Sequence, residues 1–257
     1  MEKQARDKMV KIGTFGIEIE CYNVNRNDLV QAMTANGIDC QNEYYNHNTR
    51  NHWKVINDAS IRGIAGCEFV SPILNGKNGF DQIKRVCNAL AQVNAKINSS
   101  CGLHVHHDAS DFDRTQLFKA VKVYQRMEKH IDSMMPKSRR ENNNRFCQTV
   151  VGLKESEIAQ PGCNRYRKIN LQSFFRHGTI EFRHHSGTVE AAKIINWVLF
   201  TGLIVDKARG RVSSDKELAR WVDVKWFLGV TTDRIDDAFK KMVKFYENRR
   251  RAFGPAA

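Results

Sequence analysis

Residues 14 to 20 read Thr-Phe-Gly-Ile-Glu-Ile-Glu, an alternation of apolar and acidic side chains that is typical of a β-strand. Successive side chains of a strand point to opposite faces of its sheet. Ile17 and Ile19 therefore share an apolar face with Phe15, while Glu18 and Glu20 lie side by side on the other face. Taken alone, this pattern also fits an edge strand with a solvated polar face.

Three further segments place ionisable groups opposite an apolar face. Residues 101 to 107 read Cys-Gly-Leu-His-Val-His-His, residues 179 to 183 read Thr-Ile-Glu-Phe-Arg, and residues 67 to 72 read Cys-Glu-Phe-Val-Ser-Pro. Each segment is weak evidence by itself, because single histidines and carboxylates are common structural groups. Together they predict one mainly antiparallel sheet whose concave face carries Glu18, Glu20, Glu68, His104, His106, Glu181 and Arg183.

A divalent cation is the simplest partner for such a face. Adjacent carboxylates raise the free-energy cost of ionising one another, and a cation between them removes that repulsion. Imidazoles two residues apart on a strand can bind one ion or two neighbouring ions. Carboxylate-rich ligation with few histidines and no paired cysteines favours Mg²⁺ or Mn²⁺ over structural zinc.

The length and charge of the chain limit its organisation and partners. With 257 residues it can bury a substantial core, and we expect a single domain over residues 1–257 with residues 211–257 as its C-terminal helical extension. The formal net charge of +13 makes nucleic acid a plausible partner. Since ATP and acidic substrates are anions too, charge alone does not choose among these partners.

Cysteine spacing and hydropathy indicate the compartment. The seven cysteines are scattered and form no CxxC pair, which argues against a disulfide framework or a zinc ribbon. A reducing cytosol is the simplest setting for them. Residues 1–8 are charged and lack an apolar signal core, and the most apolar long segment, Ile194 to Val205, is too short to span a bilayer. We therefore expect a cytoplasmic protein without a membrane partner.

Helical spacing of apolar residues predicts helices that cover the back of the sheet, which gives an α+β fold. Helices are predicted over residues 28–35 with Asn27 as N-cap, 79–97, 113–135, 190–207 and 233–253, with a capping box at 214–217. Further strands are predicted from Trp53 and over residues 166–172. Asp58 and Ser60 follow the first of these strands, where they either form only a turn or bind substrate.

In their order along the chain, these segments resemble the amidoligase family of the carboxylate-amine ligase superfamily, whose folds are similar to those of glutamine synthetase and glutamate-cysteine ligase. The matching pieces are Phe15 to Glu20, Trp53 with Asp58 and Ser60, Glu68 to Pro72, Cys101 to His106, Ser138 to Asn142, Arg167 with Asn170, and Thr179 to Arg183. These pieces span residues 15–197 in family order, and the last fifty residues carry no matching motif. The Arg-His-His that follows Phe182 is more basic than the family pattern.

The resemblance implies an ATP-dependent enzyme that joins a small-molecule or peptide carboxylate to an amine through an acyl phosphate, with Mg²⁺ or Mn²⁺ as cofactor. The implied metal ligands are Glu18, Glu20, Glu68, His104 and Glu181. The resemblance also implies contacts to the transferring phosphoryl group by Arg183 and to phosphate or substrate carboxylate by Arg139 and Arg167. It places Asp58 and Ser60 near the amine. It further implies contacts to ATP or metal by His106, and to ATP by Ser60 and Asn170. The polar segment 39–52 or the basic loop 137–145 could close over the acyl phosphate.

Two other functions fit parts of the same pattern. A metal-dependent nuclease or phosphoesterase would use the same carboxylates and histidines, and it would not need ATP. A non-enzymatic nucleic-acid-binding protein would use the net charge but would give the acidic strands no role. The sequence leaves open which acid and which amine react, and what the oligomeric state is.

Overall fold

The protein is described here by a computed structural model, which covers residues 13–210 and 237–253. Its contacts divide the chain into two compact units. The sheet unit comprises Gly13–Asp108 and Phe182–Val198, and the helical unit comprises Ala109–Glu181 together with the described residues from Leu199 onward. The single domain over residues 1–257 stays a prediction.

The described elements follow one another in an order that mixes strands and helices. They are β1 (Phe15–Cys21), α1 (Arg26–Ala35), β2 (Cys40–Asn42), β3 (Trp53–Asn57), β4 (Cys67–Val70), α2 (Gly76–Gln92), β5 (Gly102–Asp108), α3 (Arg114–Asp132), a 3₁₀ turn (Lys137–Arg139), α4 (Glu155–Ile158), β6 (Ile169–Asn170), α5 (Gln172–His177), β7 (Thr179–Ser186), α6 (Ala191–Arg209) and α7 (Asp237–Phe253). Among these helices, none is both long and apolar enough to cross a membrane.

The strands form one seven-stranded sheet in the order β2-β3-β4-β1-β5-β7-β6. The first acidic strand, β1, is central and pairs antiparallel with β4 on one side and with β5 on the other. β3 and β4 are also antiparallel, whereas β2 and β3 run parallel. The predicted α+β class and the mainly antiparallel sheet are therefore confirmed, and each of the four ionisable segments forms a strand.

The apolar face of the sheet unit packs against α2. The ring of Phe15 on β1 lies 5.8 Å from that of Phe80 on α2, measured between centroids. Gly79 permits this approach, because a Cβ there would lie 3.1 Å from Cζ of Phe15. On β3, Nε1 of Trp53 donates a hydrogen bond of 3.0 Å to Gln82 of the same helix. This helix therefore covers the face opposite Glu18 and Glu20, as predicted.

The start of α1 and the end of α2 differ from their predicted positions. Asn25, not Asn27, is the N-cap of α1, and its side chain accepts hydrogen bonds from the backbone N–H groups of residues 27 and 28. Helix α2 ends at Gln92 rather than at residue 97, because Asn94 adopts a left-handed conformation with φ of 55°. The N–H of Ala95 then bonds to the carbonyl of Leu90, which closes a Schellman motif. The capping box that begins α3 is present as predicted.

The strand predicted over residues 166–172 is shorter in the structure. Only Ile169 and Asn170 form β6, and Gln172 already begins α5. Arg167 instead makes an isolated parallel bridge with Gln148. The capping box predicted at residues 214–217 and the start of the C-terminal helix at residues 233–236 lie outside the described residues.

Candidate active site

The pairing of β1 with β5 brings the first acids and imidazoles together. His104 is the direct cross-strand partner of Glu18. Its Nδ1 lies 2.8 Å from Oε2 of Glu18 and its Nε2 lies 3.3 Å from Oε1 of Glu20. Nε2 of His106 lies 3.3 Å from the other oxygen of Glu18. His104 is only 3% exposed, whereas the side chains of His106 and Glu18 are 17% and 23% exposed, so the cluster is partly open to solvent.

The pairing of β1 with β4 adds a third acid. Glu68 is the direct cross-strand partner of Glu20, and its carboxylate lies 3.9 Å from Nδ1 of His104. The backbone of β5 also orients Glu20, because the N–H of Gly102 donates a hydrogen bond of 2.6 Å to Oε2 of Glu20. The ligand atoms of Glu18, Glu68 and His104 all lie within 4.8 Å of one another. Three strands thus converge on a space that a metal ion could occupy.

Asp58 belongs to a second group of acids. One of its oxygens accepts a hydrogen bond of 2.7 Å from the N–H of Ser60, which is the turn that the sequence allowed. Yet the carboxylates of Asp58, Glu20 and Glu68 also lie within 4.8 Å of one another. Ser60 itself is exposed. Asp58 therefore forms the turn and also lies beside the acidic cluster, while its contact with substrate stays a prediction.

The electrostatics of this cluster show an excess of negative charge. Burial raises the pKa of Glu68 well above 4.5, and the charges of Glu18, Glu20 and Asp58 raise it further against the opposing charge of Arg183. Burial would also raise the pKa of Glu18, but the charge of His106 and hydrogen bonds from both histidines hold it well below 4.5. A bound cation would oppose both the burial and the repulsion that raise the pKa of Glu68.

The remaining predicted site residues lie in the helical unit. Nδ2 of Asn170 donates a hydrogen bond of 2.5 Å to Oε2 of Glu181, and both side chains are buried. Nη1 of Arg167 donates to the carbonyl of Thr149 at 3.0 Å. Arg139 is only 2% exposed. The roles of these four residues stay predictions. The polar cluster of the sheet unit is formed by six other residues, Glu18, Glu20, Asp58, Glu68, His104 and His106.

Lys54 is a buried cation of the sheet unit that the sequence analysis missed. It lies on β3, on the face that also carries Glu68, and is 2% exposed. Its Nζ donates hydrogen bonds to the carbonyl and side chain of Asn46, at 3.2 and 2.8 Å, and to the carbonyl of Asn48 at 2.7 Å. Lys54 therefore connects the polar segment 39–52 to the sheet through hydrogen bonds to Asn46 and Asn48. Strand alternation from Trp53 would have placed it on the polar face.

Glu43 stabilises the same segment through hydrogen bonds to other residues of that segment. Its carboxylate accepts hydrogen bonds from Nδ2 of Asn46 at 2.8 Å and from Nε and Nη2 of Arg50 at 3.1 and 3.0 Å, and Nε2 of His52 lies 2.9 Å away. The bonds from Arg50 and His52 lower the pKa of Glu43 to about 2. The segment is thus an ordered loop, and it presents Tyr44 and Tyr45 to solvent.

A buried ion triad in the helical unit was also missed. Nζ of Lys168 lies 2.8 Å from Oε1 of Glu128 and 2.7 Å from Oδ1 of Asp132, and its side chain is fully buried. Glu128 also accepts from the N–H of Val150 at 3.0 Å, and Asp132 accepts from the N–H of Glu141 at 3.1 Å. The triad therefore ties the basic loop 137–145 and the segment after it to α3.

The sequence profile of a family described as "putative amidoligase enzyme" matches residues 11–160 and 159–205. These residues are more than half of the chain, and the protein therefore belongs to the amidoligase family. This membership supports a ligase-type enzyme, as the order of the motifs implied.

Two of the solved structures that align with this chain are as follows. One is a GmaS/ADP complex, with 11% identity, a TM-score of 0.43, and coverage of 93% of this chain and 69% of that one. The other is a glutamine synthase homolog, with 11% identity, a TM-score of 0.45, and coverage of 98% and 68%. A comparison with curated protein sequences finds no match.

Proposed function

We propose that this protein is an ATP-dependent carboxylate-amine ligase that forms an amide or peptide-like bond and requires Mg²⁺ or Mn²⁺. The observation that supports this most strongly is the convergence of Glu18, Glu68 and His104, from three strands, on one space within 4.8 Å. Membership of the amidoligase family supports the ligase-type chemistry.

The donor atoms of the sheet unit fit a hard divalent cation. Carboxylate oxygens predominate, with one imidazole in the group of Glu18, Glu68 and His104 and none in the group of Glu20, Asp58 and Glu68. Such donor sets favour Mg²⁺ or Mn²⁺ over zinc. The raised pKa of Glu68 indicates the same need for positive charge. When bound, a divalent cation would neutralise the crowded phosphate oxygens of ATP.

The proposed reaction has two displacements. An oxygen of the substrate carboxylate attacks the γ-phosphorus of ATP, so that ADP leaves and an acyl phosphate forms. The amine nitrogen then attacks the acyl carbon, loses a proton and displaces inorganic phosphate. Arg183 would stabilise the transferring phosphoryl group, and its effect on the pKa of Glu68 supports a place close to the acids.

The other predicted residues receive narrower roles in this proposal. The grouping of Asp58 with Glu20 and Glu68 favours cation binding over the predicted contact with the amine. His106, through its contact with Glu18, would orient that carboxylate or bind ATP. Ser60 remains a candidate ATP contact. In the helical unit, Asn170 would orient Glu181, while Arg139 and Arg167 would bind phosphate or the substrate carboxylate.

The proposal is tested by measuring the release of phosphate and the formation of a hydroxamate. The full chain is incubated with ATP, Mg²⁺, a pool of N-acetylated amino acids and polycarboxylates, and hydroxylamine as a general amine. We expect ADP, phosphate and a hydroxamate to appear only when both a carboxylate and an amine are present. Glu68→Gln should abolish the products, whereas the exposed Glu247→Gln should not.

A nuclease or phosphoesterase would behave differently in the same experiment. Cleavage of nucleic acid or of a phosphodiester in ATP-free buffer with Mg²⁺, lost in Glu68→Gln, would contradict the ligase proposal. Nucleic acid as a partner, the cytoplasmic location and the use of small-molecule or peptide substrates stay predictions.

A further inference from the structure

Two cysteines of the sheet unit face each other across paired strands. Cys21 at the end of β1 is the direct cross-strand partner of Cys67 at the start of β4. Their Sγ atoms lie 3.6 Å apart, and both side chains are buried. They lie on the sheet face opposite Glu20 and Glu68, which form the neighbouring cross-strand pair. The two thiols are therefore separate from the acidic cluster.

The backbone at this position already suits a disulfide. Directly opposed residues of an antiparallel pair have Cα atoms about 4.5 or 5.5 Å apart. Both values fall within the range of about 4.4–6.8 Å that disulfides span. Because an S–S bond is about 2.05 Å long, the two sulfurs need to approach by only about 1.5 Å, which side-chain rotation can supply.

A cavity is lined by one of the two cysteines, Cys67, which is 1% exposed. It has a volume of about 350 Å³, and its lining includes Cys67, Arg26 and the four asparagines at positions 25, 27, 42 and 57. Cys21 does not line it. The amides can hydrogen-bond a polar reagent, and the guanidinium of Arg26 favours one that carries negative charge. A small anionic molecule can therefore approach Cys67 before Cys21.

From this arrangement we propose that Cys21 and Cys67 are a redox-modification site, which forms a reversible disulfide by exchange with an anionic low-molecular-weight disulfide. Cys67, as thiolate, attacks one sulfur of the reagent, the reagent's S–S bond breaks, and one thiol leaves. Cys21 then loses its proton, attacks Sγ of Cys67 and displaces the second thiol. Two protein thiols are thus oxidised by two electrons, and one reagent disulfide is reduced to two thiols. The proposal does not rest on the proposed function.

The first test maps the disulfide in the unmodified full chain. The native protein is incubated with oxidised glutathione and then denatured, the remaining thiols are alkylated, and intact mass and peptides are measured. We expect the loss of two hydrogens, five alkylated cysteines of the seven, and a Cys21–Cys67 cross-linked peptide that dithiothreitol removes. Seven alkylated cysteines after prolonged incubation, or a first bridge between other cysteines, would overturn the proposal.

Single variants test the order of attack. Cys21→Ser should accumulate a mixed disulfide with glutathione on Cys67, because the second displacement is then impossible. Cys67→Ser should leave Cys21 alkylatable. Cys87→Ser, at a buried cysteine of α2, is the matched control and should still form the Cys21–Cys67 bridge. Glutathione bound to Cys21 in Cys67→Ser would contradict the assignment of Cys67 as the entry thiol.

The variant Arg26→Gln tests whether the charge of Arg26 favours an anionic reagent. Arg26→Gln should slow the reaction with oxidised glutathione at low ionic strength, and this difference should disappear at high salt. With the neutral reagent hydroxyethyl disulfide the variant and the unmodified protein should react at the same rate. Equal rates with oxidised glutathione at low salt would contradict the selection of an anionic reagent.

Discussion

Nδ1 of His104 lies 2.8 Å from Oε2 of Glu18, although the two residues are 86 positions apart in the chain. The contact depends on the register of β1 against β5, in which these two residues are direct partners. A slip of one residue would move His104 to the opposite face of the sheet, because the side-chain period of a strand is two. The register of the central strands therefore determines whether this cluster of acids and imidazoles forms.

Replacing His104 tests its part in cation binding. In His104→Gln the imidazole between Glu18 and Glu20 is lost, and we expect the affinity for Mn²⁺, measured by titration calorimetry, to fall by about tenfold or more. His52→Gln is the matched control, because His52 also lies beside a carboxylate, that of Glu43 at 2.9 Å. Equal affinity losses in the two variants would argue against a specific role for His104.

Replacing Glu68 separates stability from cation binding. The raised pKa of Glu68 means that its ionised form opposes folding in metal-free protein. We therefore expect Glu68→Gln to leave the melting temperature in chelator unchanged or higher, and to abolish the increase that Mn²⁺ causes in the unmodified protein. A large drop in melting temperature in chelator would show that the Glu68 carboxylate stabilises the fold.

The same variant predicts a pH dependence with a definite sign. A carboxyl whose folded-state pKa is raised binds its proton more tightly in the folded protein. Its contribution to the free energy of unfolding is therefore complete below the unfolded pKa and is lost as pH rises through the folded pKa. Chemical denaturation in chelator should show that the unmodified protein gains stability relative to Glu68→Gln as pH falls from 7 toward 4.5.

Lys54 should control the order of the loop that it fastens. Lys54→Met keeps much of the side-chain volume but removes the three hydrogen bonds to Asn46 and Asn48. We expect faster amide exchange across residues 44–50, with unchanged protection in β1 and β4. Lys84→Met, which removes an exposed ion pair with Asp81, should leave the exchange of the loop unchanged.

Lys168 should be important for stability, because its charge is buried between two carboxylates. We expect Lys168→Met to lower the free energy of unfolding by about 3–5 kcal/mol, since Glu128 and Asp132 are then left as uncompensated buried charges. Adding Glu128→Gln and Asp132→Asn should recover part of the loss. Lys122→Met removes the more exposed pair with Glu155 and should cost less than about 1 kcal/mol in the same denaturation experiment.

The strands of the site could be predicted because alternation is a local property of the sequence. Glu18 and Glu20 share a face of β1 whatever the remainder of the chain does, and the same holds for His104 and His106 on β5. The pairing of these strands was an inference from the recurrence of the pattern, and the register that joins Glu20 to Glu68 supports it.

Other features depend on contacts that a local pattern does not contain. Lys168 reads as one polar residue of an alternating segment, yet its partners lie 40 and 36 positions away on α3. The end of α2 was placed too late because Val93 and Ile97 continue the apolar spacing, whereas the left-handed Asn94 ends the helix. Lys54 was overlooked because its partners lie in a loop without periodicity.

The most direct test of the proposed cation site is the anomalous scattering of Mn²⁺ in crystals of the full chain grown with Mn²⁺ and a non-hydrolysable ATP analogue. The account predicts an anomalous peak within bonding distance of the carboxylates of Glu18 and Glu68 and the imidazole of His104, with the phosphates of the analogue beside it. Manganese bound elsewhere, or an analogue bound with no peak among these three side chains, would contradict it.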